Sequence, residues 1–132
     1  MRSSFTIPTE IVPKPRQTAS DKWKQRDCVM RYRKWCDEAR LAVTGSPLKY
    51  LESSPIALYA FFHVLVADSL PEKQNALLYG RLCKTRYDVD NCIKSCCDAL
   101  FQDDRGIQIM HGVKLWCEED AEPRTDLFLL FP

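Results

Sequence analysis

Residues 56–67 constrain the fold more than any other part of the sequence, because they predict a strand that is apolar on both faces. Aliphatic and aromatic residues occupy one face, and Tyr59, Phe61 and Leu65 occupy the other. A strand of this kind has to be covered on both sides, by helices or by a partner chain. The run is too short for a membrane span, which needs roughly 18 apolar residues. We expect its histidine, His63, to be a core residue with a hydrogen-bond partner.

The remaining elements are predicted from periodicity and turn residues. Residues 4–8 alternate like a short strand, and residues 27–43 repeat apolar side chains at helical spacing, with Asp27 as the N-cap. A second helix is predicted at 89–101, strands at 107–117 and 126–131, and a loop or short helix at 68–87. The order β-α-β-α-β-β predicts a single α+β domain over residues 1–132, with two helices packed on a mixed sheet.

The cysteine pattern argues against an exported, disulfide-linked protein. There are seven cysteines, and the first residues lack the apolar core of a signal peptide. We therefore expect a cytoplasmic protein whose thiols are free and buried, with no membrane segment and no organic cofactor. Zinc is disfavoured, because there is no C-x-x-C pair and His63 and His111 stand at no ligand spacing.

Charge is unevenly distributed along the chain, although the formal net charge is only +1. Residues 1–40 carry ten Lys/Arg and five Asp/Glu, a net of +5, whereas residues 41–132 carry nine and thirteen, a net of −4. A basic half can attract a phosphate backbone while an acidic half holds a metal. The alternative is that surface charges simply fall unevenly.

The residues with the clearest chemical meaning lie at the start of the second predicted helix. Asp88 and Asp90 are close enough to repel each other unless a cation lies between them or one is protonated. Oxygen ligands of this kind suit Mg²⁺ or Mn²⁺. Lys94, four positions after Asp90, shares its helix face and can offset charge on a phosphoryl group. With Asp104 as a third carboxylate, these are the groups that phosphodiester hydrolysis needs.

The same residues also fit an ordinary helix surface. Asp90, Lys94 and Asp98 at successive i,i+4 steps are typical of solvated ion pairs, each contributing ~0.2–0.5 kcal/mol. Asp88 would then be an N-cap, and the later Asp-Asp pair a turn. Spacing alone leaves both interpretations open.

A longer match favours the catalytic interpretation. Residues 88–94 read D-x-D-N-x-x-K, and D-A-L at 98–100 and D-D at 103–104 follow. This pattern resembles the signature of the RusA-type Holliday junction resolvases, a family of endodeoxyribonucleases. F-T-I-P at 5–8 and P-K-P-R at 13–16 resemble the family's opening strand and basic loop, and the element order agrees over nearly the whole chain.

The resemblance implies a homodimer that binds four-way DNA junctions and nicks two opposed strands, with Mg²⁺ as cofactor and Mn²⁺ as a substitute. Family members are frequent in phages and prophages, where branched DNA must be resolved before packaging or repair. The residues carried over are Asp88 and Asp90 as the metal-binding pair, Asp104 as the third catalytic carboxylate, Lys94 as the essential lysine, and Asn91 and Asp98 as structural supports.

The sequence departs from the family pattern after the second helix. The family places several residues between D-A-L and D-D, whereas only Phe101 and Gln102 stand there in this chain. The shorter loop leaves open whether Asp103 or Asp104 faces the metal. Tyr87 stands before Asp88, where the family often has proline or arginine.

Basic residues outside the motif are candidate DNA contacts. The predicted phosphate contacts are Lys14, Arg16, Arg31, Lys34 and Arg86. For those on the first helix, a solvated surface is the alternative. Trp23, Trp35 and Trp116 are candidates for stacking on unpaired bases, although Trp35 lies on the apolar face of the first helix and is expected in the core.

Three functions are consistent with these observations. The first is a metal-dependent endonuclease for branched DNA. The second is a catalytically weak or inactive junction-binding protein on the same fold, which the shortened loop keeps open. The third is an interaction protein with no nucleic-acid role, which requires the multi-position match to be a coincidence.

Overall fold

The computed structural model describes residues 1–16, 26–66 and 72–132. Its elements are β1 (Arg2–Ile7), α1 (Asp27–Thr44), β2 (Ala57–Val64), α2 (Glu72–Leu78), α3 (Val89–Leu100), β3 (Ile109–Trp116) and β4 (Arg124–Leu130). The predicted order is confirmed, with α2 in the segment predicted as a loop or short helix. None of the helices among the described residues is long and apolar enough to cross a membrane.

The four strands form one mixed sheet in the order β1-β4-β2-β3. β4 is antiparallel to both β1 and β2, whereas β2 is parallel to β3. The α+β class with a mixed sheet is thus confirmed. Parallel neighbours need a long crossover, and here the crossover contains α2 and α3. It delivers the start of α3 to the carboxyl end of β3, where we find the site described below.

Local backbone contacts explain where α1 begins and ends, and the structure corrects the predicted N-cap. Arg26 occupies the N-cap position and no side chain caps the helix, so the prediction of Asp27 as N-cap is wrong. Asp27 is instead the first helical residue, where a carboxylate interacts favourably with the helix dipole. The helix ends at Gly45, whose φ of 81° is left-handed and whose N–H donates to the Leu41 carbonyl at 3.0 Å.

One face of the sheet and the apolar faces of α1 and α3 form the main core. Trp35 of α1, Phe62 of β2 and Leu100 of α3 are each at most 2% exposed. Burying a side chain of this size stabilises the folded state by about 1.5–3 kcal/mol. The expected core position of Trp35 is confirmed.

No helix among the described residues packs on the opposite face of the sheet. Neighbouring strand residues alternate between faces, so Tyr59 and Phe61 point away from α1 and α3. Phe128 lies beside them on β4, is 47% exposed and contacts the Phe61 ring edge-on at 5.7 Å between centroids. On the same face, the His63 Nε2 lies 3.1 Å from Asp126, which confirms a buried histidine with a partner. Described helices therefore cover only one face of β2.

The cysteine prediction is confirmed. All seven are free, and six are buried, namely Cys36, Cys83, Cys92, Cys96, Cys97 and Cys117. Burial raises the pKa of Cys92 and of Cys97 to about 12. The thiolate is the reactive form of cysteine, so these buried thiols act as small apolar groups at neutral pH.

α3 approaches the sheet most closely at Gly112 on β3. A Cβ atom there would lie 2.7 Å from Ile93 Cδ1 and 2.9 Å from Val89 Cγ2. Distances this short are inside van der Waals contact, so a side chain at this position would require Ile93 and Val89 of α3 to shift. The position of α3 relative to the sheet depends on this glycine.

Gly112→Ala is expected to lower the free energy of unfolding by about 1–3 kcal/mol, because the new methyl group overpacks the α3–β3 contact. Urea unfolding followed by circular dichroism measures the change. Ser4→Ala, at an exposed position on β1, is the control and should change stability by less than about 0.5 kcal/mol. Equal stability of the two variants would show that α3 does not depend on close contact at Gly112.

Candidate active site

α3 begins at a strained turn that presents Asp88 to solvent. Tyr87 has a φ of 56°, a left-handed conformation that bulky residues rarely adopt. Asp88 follows at the N-cap position, but its side chain makes no capping hydrogen bond. Aspartate at this position usually caps a helix through its carboxylate, so the observed contacts do not favour the interpretation of Asp88 as a structural cap. Its exposed carboxylate is available to bind an ion.

Lys114 holds this turn in place from β3. Its ammonium donates hydrogen bonds to the carbonyl oxygens of Arg86 at 2.7 Å and Tyr87 at 2.5 Å. Hydrogen bonds to charged groups stabilise by about 1.5–3 kcal/mol, whereas a residue held in a sparsely populated conformation costs about 1–3 kcal/mol. The two magnitudes are similar, so Lys114 can offset the strain at Tyr87.

Glu10 holds the same turn from the other side. Its carboxylate accepts hydrogen bonds from the Tyr87 hydroxyl at 2.8 Å and from the N–H of Leu65, just after β2, at 2.7 Å. The Arg86 guanidinium lies over the Tyr87 ring, 5.1 Å from its centroid. Sequence analysis missed both Glu10 and Lys114, because their contacts join residues that are 27 or more positions apart.

The predicted common face of Asp90 and Lys94 is confirmed. The Lys94 ammonium lies 3.7 Å from the Asp90 carboxylate, and the two side chains are 60% and 71% exposed. An ion pair this exposed contributes at most about 1 kcal/mol. Both groups are therefore accessible to a ligand.

Asp98 does not continue this row of charges. It accepts a hydrogen bond from the Tyr32 hydroxyl at 2.7 Å and lies 2.7 Å from the Lys14 ammonium. The alternative in which residues 90, 94 and 98 form one series of solvated ion pairs is therefore wrong for Asp98, whose partners are Tyr32 and Lys14. Ser95 adds a second tie, because its hydroxyl donates to the Val12 carbonyl at 2.7 Å. These contacts fix the basic loop that carries Lys14 beside α3.

The two carboxylates that follow α3 differ in their partners. Asp103 accepts hydrogen bonds from the Arg105 side chain at 2.7 and 3.0 Å and from its backbone N–H at 3.0 Å. These bonds lower the pKa of Asp103 to about 2, so its carboxylate is ionised and occupied at neutral pH. Asp104 has no such partner in the described part of the chain. The contacts thus favour Asp104 over Asp103 as a carboxylate that is free to bind a metal.

Asp104 lies at the opposite end of α3 from Asp88 and Asp90. α3 has 12 residues, which span about 18 Å at 1.5 Å per residue. Within residues 1–16, 26–66 and 72–132, no three His, Cys, Asp or Glu side chains converge to hold a metal ion. Asp88 and Asp90 stand at the start of α3 and Asp104 follows its other end, so the described residues of one chain do not form the expected three-carboxylate site.

A cationic cleft of about 720 Å³ opens beside Asp88. Its charged lining residues are Lys14, Arg31, Lys84 and Lys114 together with the carboxylates of Glu10 and Asp88. Arg31 and Lys84 are exposed and have no hydrogen-bond or ion-pair partner in the described structure. An excess of cations in the cleft beside Asp88 favours a polyanionic ligand such as a phosphate backbone.

The predicted DNA contacts divide into two groups. Lys14 and Arg31 line the cleft, and Arg86 lies against Tyr87 at its edge. Arg16 does not line the cleft, and the Lys34 ammonium lies instead 4.0 Å from Glu38 on α1. Lys14, Arg31 and Arg86 lie at the cleft of Asp88, so they are better candidates for DNA contacts than Arg16 and Lys34.

Two further residues that line the cleft were not among the predicted DNA contacts. Lys84 was missed, because it lies in the connection between α2 and α3 and belongs to no motif. Asn91, expected as a structural support, lines the cleft next to Asp88. Trp23, one of the candidates for base stacking, lies outside the described residues.

An α+β domain that presents two exposed carboxylates at a helix start, with a cationic cleft beside Asp88, has the features of a nuclease. The family model of the endodeoxyribonuclease RusA matches residues 8–126. The chain belongs to this family of endodeoxyribonucleases, and the resemblance seen in the sequence is confirmed. A search of curated proteins found no match.

Lys114→Met is expected to lower the free energy of unfolding by about 1–3 kcal/mol, because it removes the charged donor that holds the Tyr87 turn. Urea unfolding measures the stability. Ca²⁺ titration by calorimetry measures the metal affinity of the carboxylate pair, which should also fall. Lys49→Met, at an exposed position after α1, is the control. If both variants match the wild-type protein in stability and metal affinity, Lys114 does not position Asp88.

Proposed function

We propose that this protein is a metal-dependent endodeoxyribonuclease that resolves four-way DNA junctions by paired nicks. The observation that carries the proposal is the exposed Asp88 carboxylate in the lining of a cleft with an excess of cations, with the exposed Asp90 two positions further along the chain. Membership of the endodeoxyribonuclease RusA family supports DNA as the substrate.

The carboxylate pair suits Mg²⁺. Asp88 has no side-chain partner among the described residues, and Asp90 has only the 3.7 Å contact with Lys94. Mg²⁺ commonly binds proteins through one or two carboxylates, with water and substrate phosphates as its other ligands. Mn²⁺ accepts the same oxygen ligands. When bound, the metal would polarise a phosphoryl oxygen and lower the pKa of a bound water.

The chain's own residues would orient the DNA and offset charge. Lys94 lies on the same helix face as Asp90, where its ammonium can stabilise charge that develops on the phosphoryl oxygens. Arg31 and Lys84 are the unpaired cations of the cleft, so they can bind neighbouring phosphates and hold the strand in register. Lys114 fixes the turn before Asp88, which preorganises that carboxylate before the substrate binds.

A second copy of the chain would supply the third carboxylate. In a two-fold symmetric dimer, antiparallel association along β3 brings the start of one strand to the end of the other. Asp104 precedes β3, and the Asp88 turn is held at its end by Lys114, so this arrangement places Asp104 of one copy toward Asp88 of the other. β3 is an edge strand whose first residues, Ile109 and Met110, are 49% and 41% exposed. The backbone groups of Lys114 and Trp116, near the end of β3, already pair with Cys83 and Arg81. The association would therefore use the first residues of the strand, where an edge has unpaired backbone groups. The dimer would present two sites to the two opposed strands of a junction.

A binding protein without catalysis is the second candidate, and the position of Asp104 favours it. Within one chain this carboxylate follows the far end of a helix that is about 18 Å long. If no second copy supplies it, the chain retains the cationic cleft and two carboxylates. Junction binding without hydrolysis would then be the expected activity.

The purified protein is expected to nick a labelled, mobile four-way DNA junction in Mg²⁺ or Mn²⁺, in two opposed strands, and to leave a linear duplex intact. Asp90→Asn should lower the rate by about 100-fold or more, because it removes a charged ligand at the reacting phosphate. Asp37→Asn is the matched control, since its exposed carboxylate pairs with Arg40 on α1, away from the cleft. Denaturing gel electrophoresis of end-labelled strands resolves the cuts.

The outcomes of this assay separate the two candidates. Nicks that persist in Asp90→Asn at the wild-type rate would show that the carboxylate pair is not the site. A junction that is bound but not cut in either metal would favour the binding protein.

Arg31→Gln and Lys84→Gln are each expected to reduce the dependence of DNA binding on salt. One lost phosphate contact lowers the slope of log K against log salt by about 0.9 for duplex DNA. Fluorescence anisotropy with a labelled junction at several salt concentrations measures the slope. Lys34→Gln, whose ammonium lies near Glu38 and outside the cleft, should leave it unchanged. An equal loss in all three variants would mean that DNA contacts the whole α1 surface rather than the cleft.

A further inference from the structure

A second open groove lies next to the cleft of Asp88, between the end of α2 and the end of β3. Its volume is about 1010 Å³, which is at the upper end of the range of roughly 300–1,000 Å³ typical of ligand sites. Its walls are mostly apolar and include Leu77, Leu82 and Trp116. Leu77 and Leu82 are 63% and 65% exposed. Arg86 and Trp116, which the sequence suggested as contacts to phosphate and base, line this groove together with Lys84, but the proposed hydrolysis takes place outside it.

The backbone around Leu82 is fixed, although its side chain is exposed. The Arg81 carbonyl accepts a hydrogen bond from the Trp116 N–H at 2.8 Å, and the Cys83 N–H donates to the Lys114 carbonyl at 2.9 Å. Leu82 is thereby placed opposite Leu115 as an isolated antiparallel bridge at the edge of β3. The neighbouring Cys83 is buried. Leu82 is thus an apolar side chain that is held rigidly toward solvent.

The charged residues that line the groove are all basic, although Glu118 lies behind Gly80, 3.9 Å from where a Cβ atom would be. Arg81, Lys84 and Arg86 line it, and no carboxylate does so among the described residues. Arg81 and Lys84 have no side-chain partner in the described structure. An apolar surface with a cationic rim complements a nucleotide, because a base has apolar faces and is joined to a phosphate.

The groove is also continuous with the cleft of Asp88. Lys84 and Thr85 line both cavities, so a single DNA strand can pass from one to the other. A phosphate held beside Asp88 would then have a neighbouring base at the groove.

We propose that this groove binds a nucleobase that is unstacked at the branch point of DNA, and that Leu82 fills the space which the base leaves in the stack. Apolar side chains inserted between base steps unstack and kink DNA. Unstacking costs least where bases are already unpaired or poorly stacked, so the groove would select branched DNA over a linear duplex. The proposal rests on the proposed function only for the choice of DNA as ligand.

A four-way junction with 2-aminopurine at the branch point tests the proposal, because the fluorescence of this base rises when it is unstacked. Ca²⁺ replaces Mg²⁺ in the assay to suppress cleavage. Wild-type protein is compared with Leu82→Ala and, from the other wall of the groove, with Leu77→Ala. Leu41→Ala on α1, at a leucine that is 52% exposed and outside the groove, is the matched control.

Wild-type protein and Leu41→Ala are expected to raise the fluorescence roughly threefold or more on binding. Leu82→Ala should lose most of this rise, and its preference for the junction over a linear duplex should fall roughly tenfold. Its affinity for the linear duplex should not change. Leu77→Ala should show a smaller loss in the same direction.

The proposal is overturned if bound wild-type protein leaves the fluorescence unchanged, or if Leu82→Ala behaves like Leu41→Ala. A change in the sedimentation of DNA-free Leu82→Ala would also overturn it, because the groove would then be an interface between copies of the chain. The proposed function fails in a different way. Unstacking without nicks in Mg²⁺ or Mn²⁺ would reject the nuclease and retain the groove, whereas nicks without unstacking would reject the groove alone.

Discussion

The contact between α3 and β3 fixes the geometry on which the proposed site depends. Gly112 has no side chain, so Val89 and Ile93 of α3 pack directly on the strand. Two positions further along β3, Lys114 binds the carbonyl oxygens of the turn that precedes Asp88. The strained backbone of that turn is retained because hydrogen bonds to a charged group contribute about as much as the strain costs. The exposed Asp88 carboxylate makes no capping hydrogen bond to its own helix and is available to a ligand.

The sequence predicted the elements of the fold better than the assembly of the site. Periodicity gave α1 and α3 to within one residue, because an amphipathic helix repeats its apolar positions locally. The common face of Asp90 and Lys94 is local as well. Glu10 and Lys114 were missed because they reach the site only through tertiary contacts. The expected approach of Asp104 to the pair is not seen among the described residues of one chain, where Asp104 follows the far end of a helix about 18 Å long.

The uneven distribution of charge along the sequence has a structural counterpart. Contacts from Asp98 and Ser95 hold the basic loop against α3, and α1 places Arg31 in the same cleft as Asp88. The cations do not simply neutralise the carboxylates, because Arg31 and Lys84 have no partner among the described residues. Carboxylates suited to a metal and cations suited to phosphates thus lie near each other, which is the combination that the proposed hydrolysis of a nucleic-acid backbone needs.

We propose that each site combines Asp88 and Asp90 of one copy with Asp104 of another, and a mixture of two inactive variants can show whether it does. Asp90→Asn and Asp104→Ala are each expected to be inactive alone on a four-way junction in Mg²⁺. After subunit exchange at equal concentrations, half of the dimers are mixed, and each mixed dimer has one intact site. If the sites are shared between copies, the mixture should nick the junction at about a quarter of the wild-type rate, with single rather than paired cuts. No recovery of nicking, with mixed dimers present in solution, would contradict it.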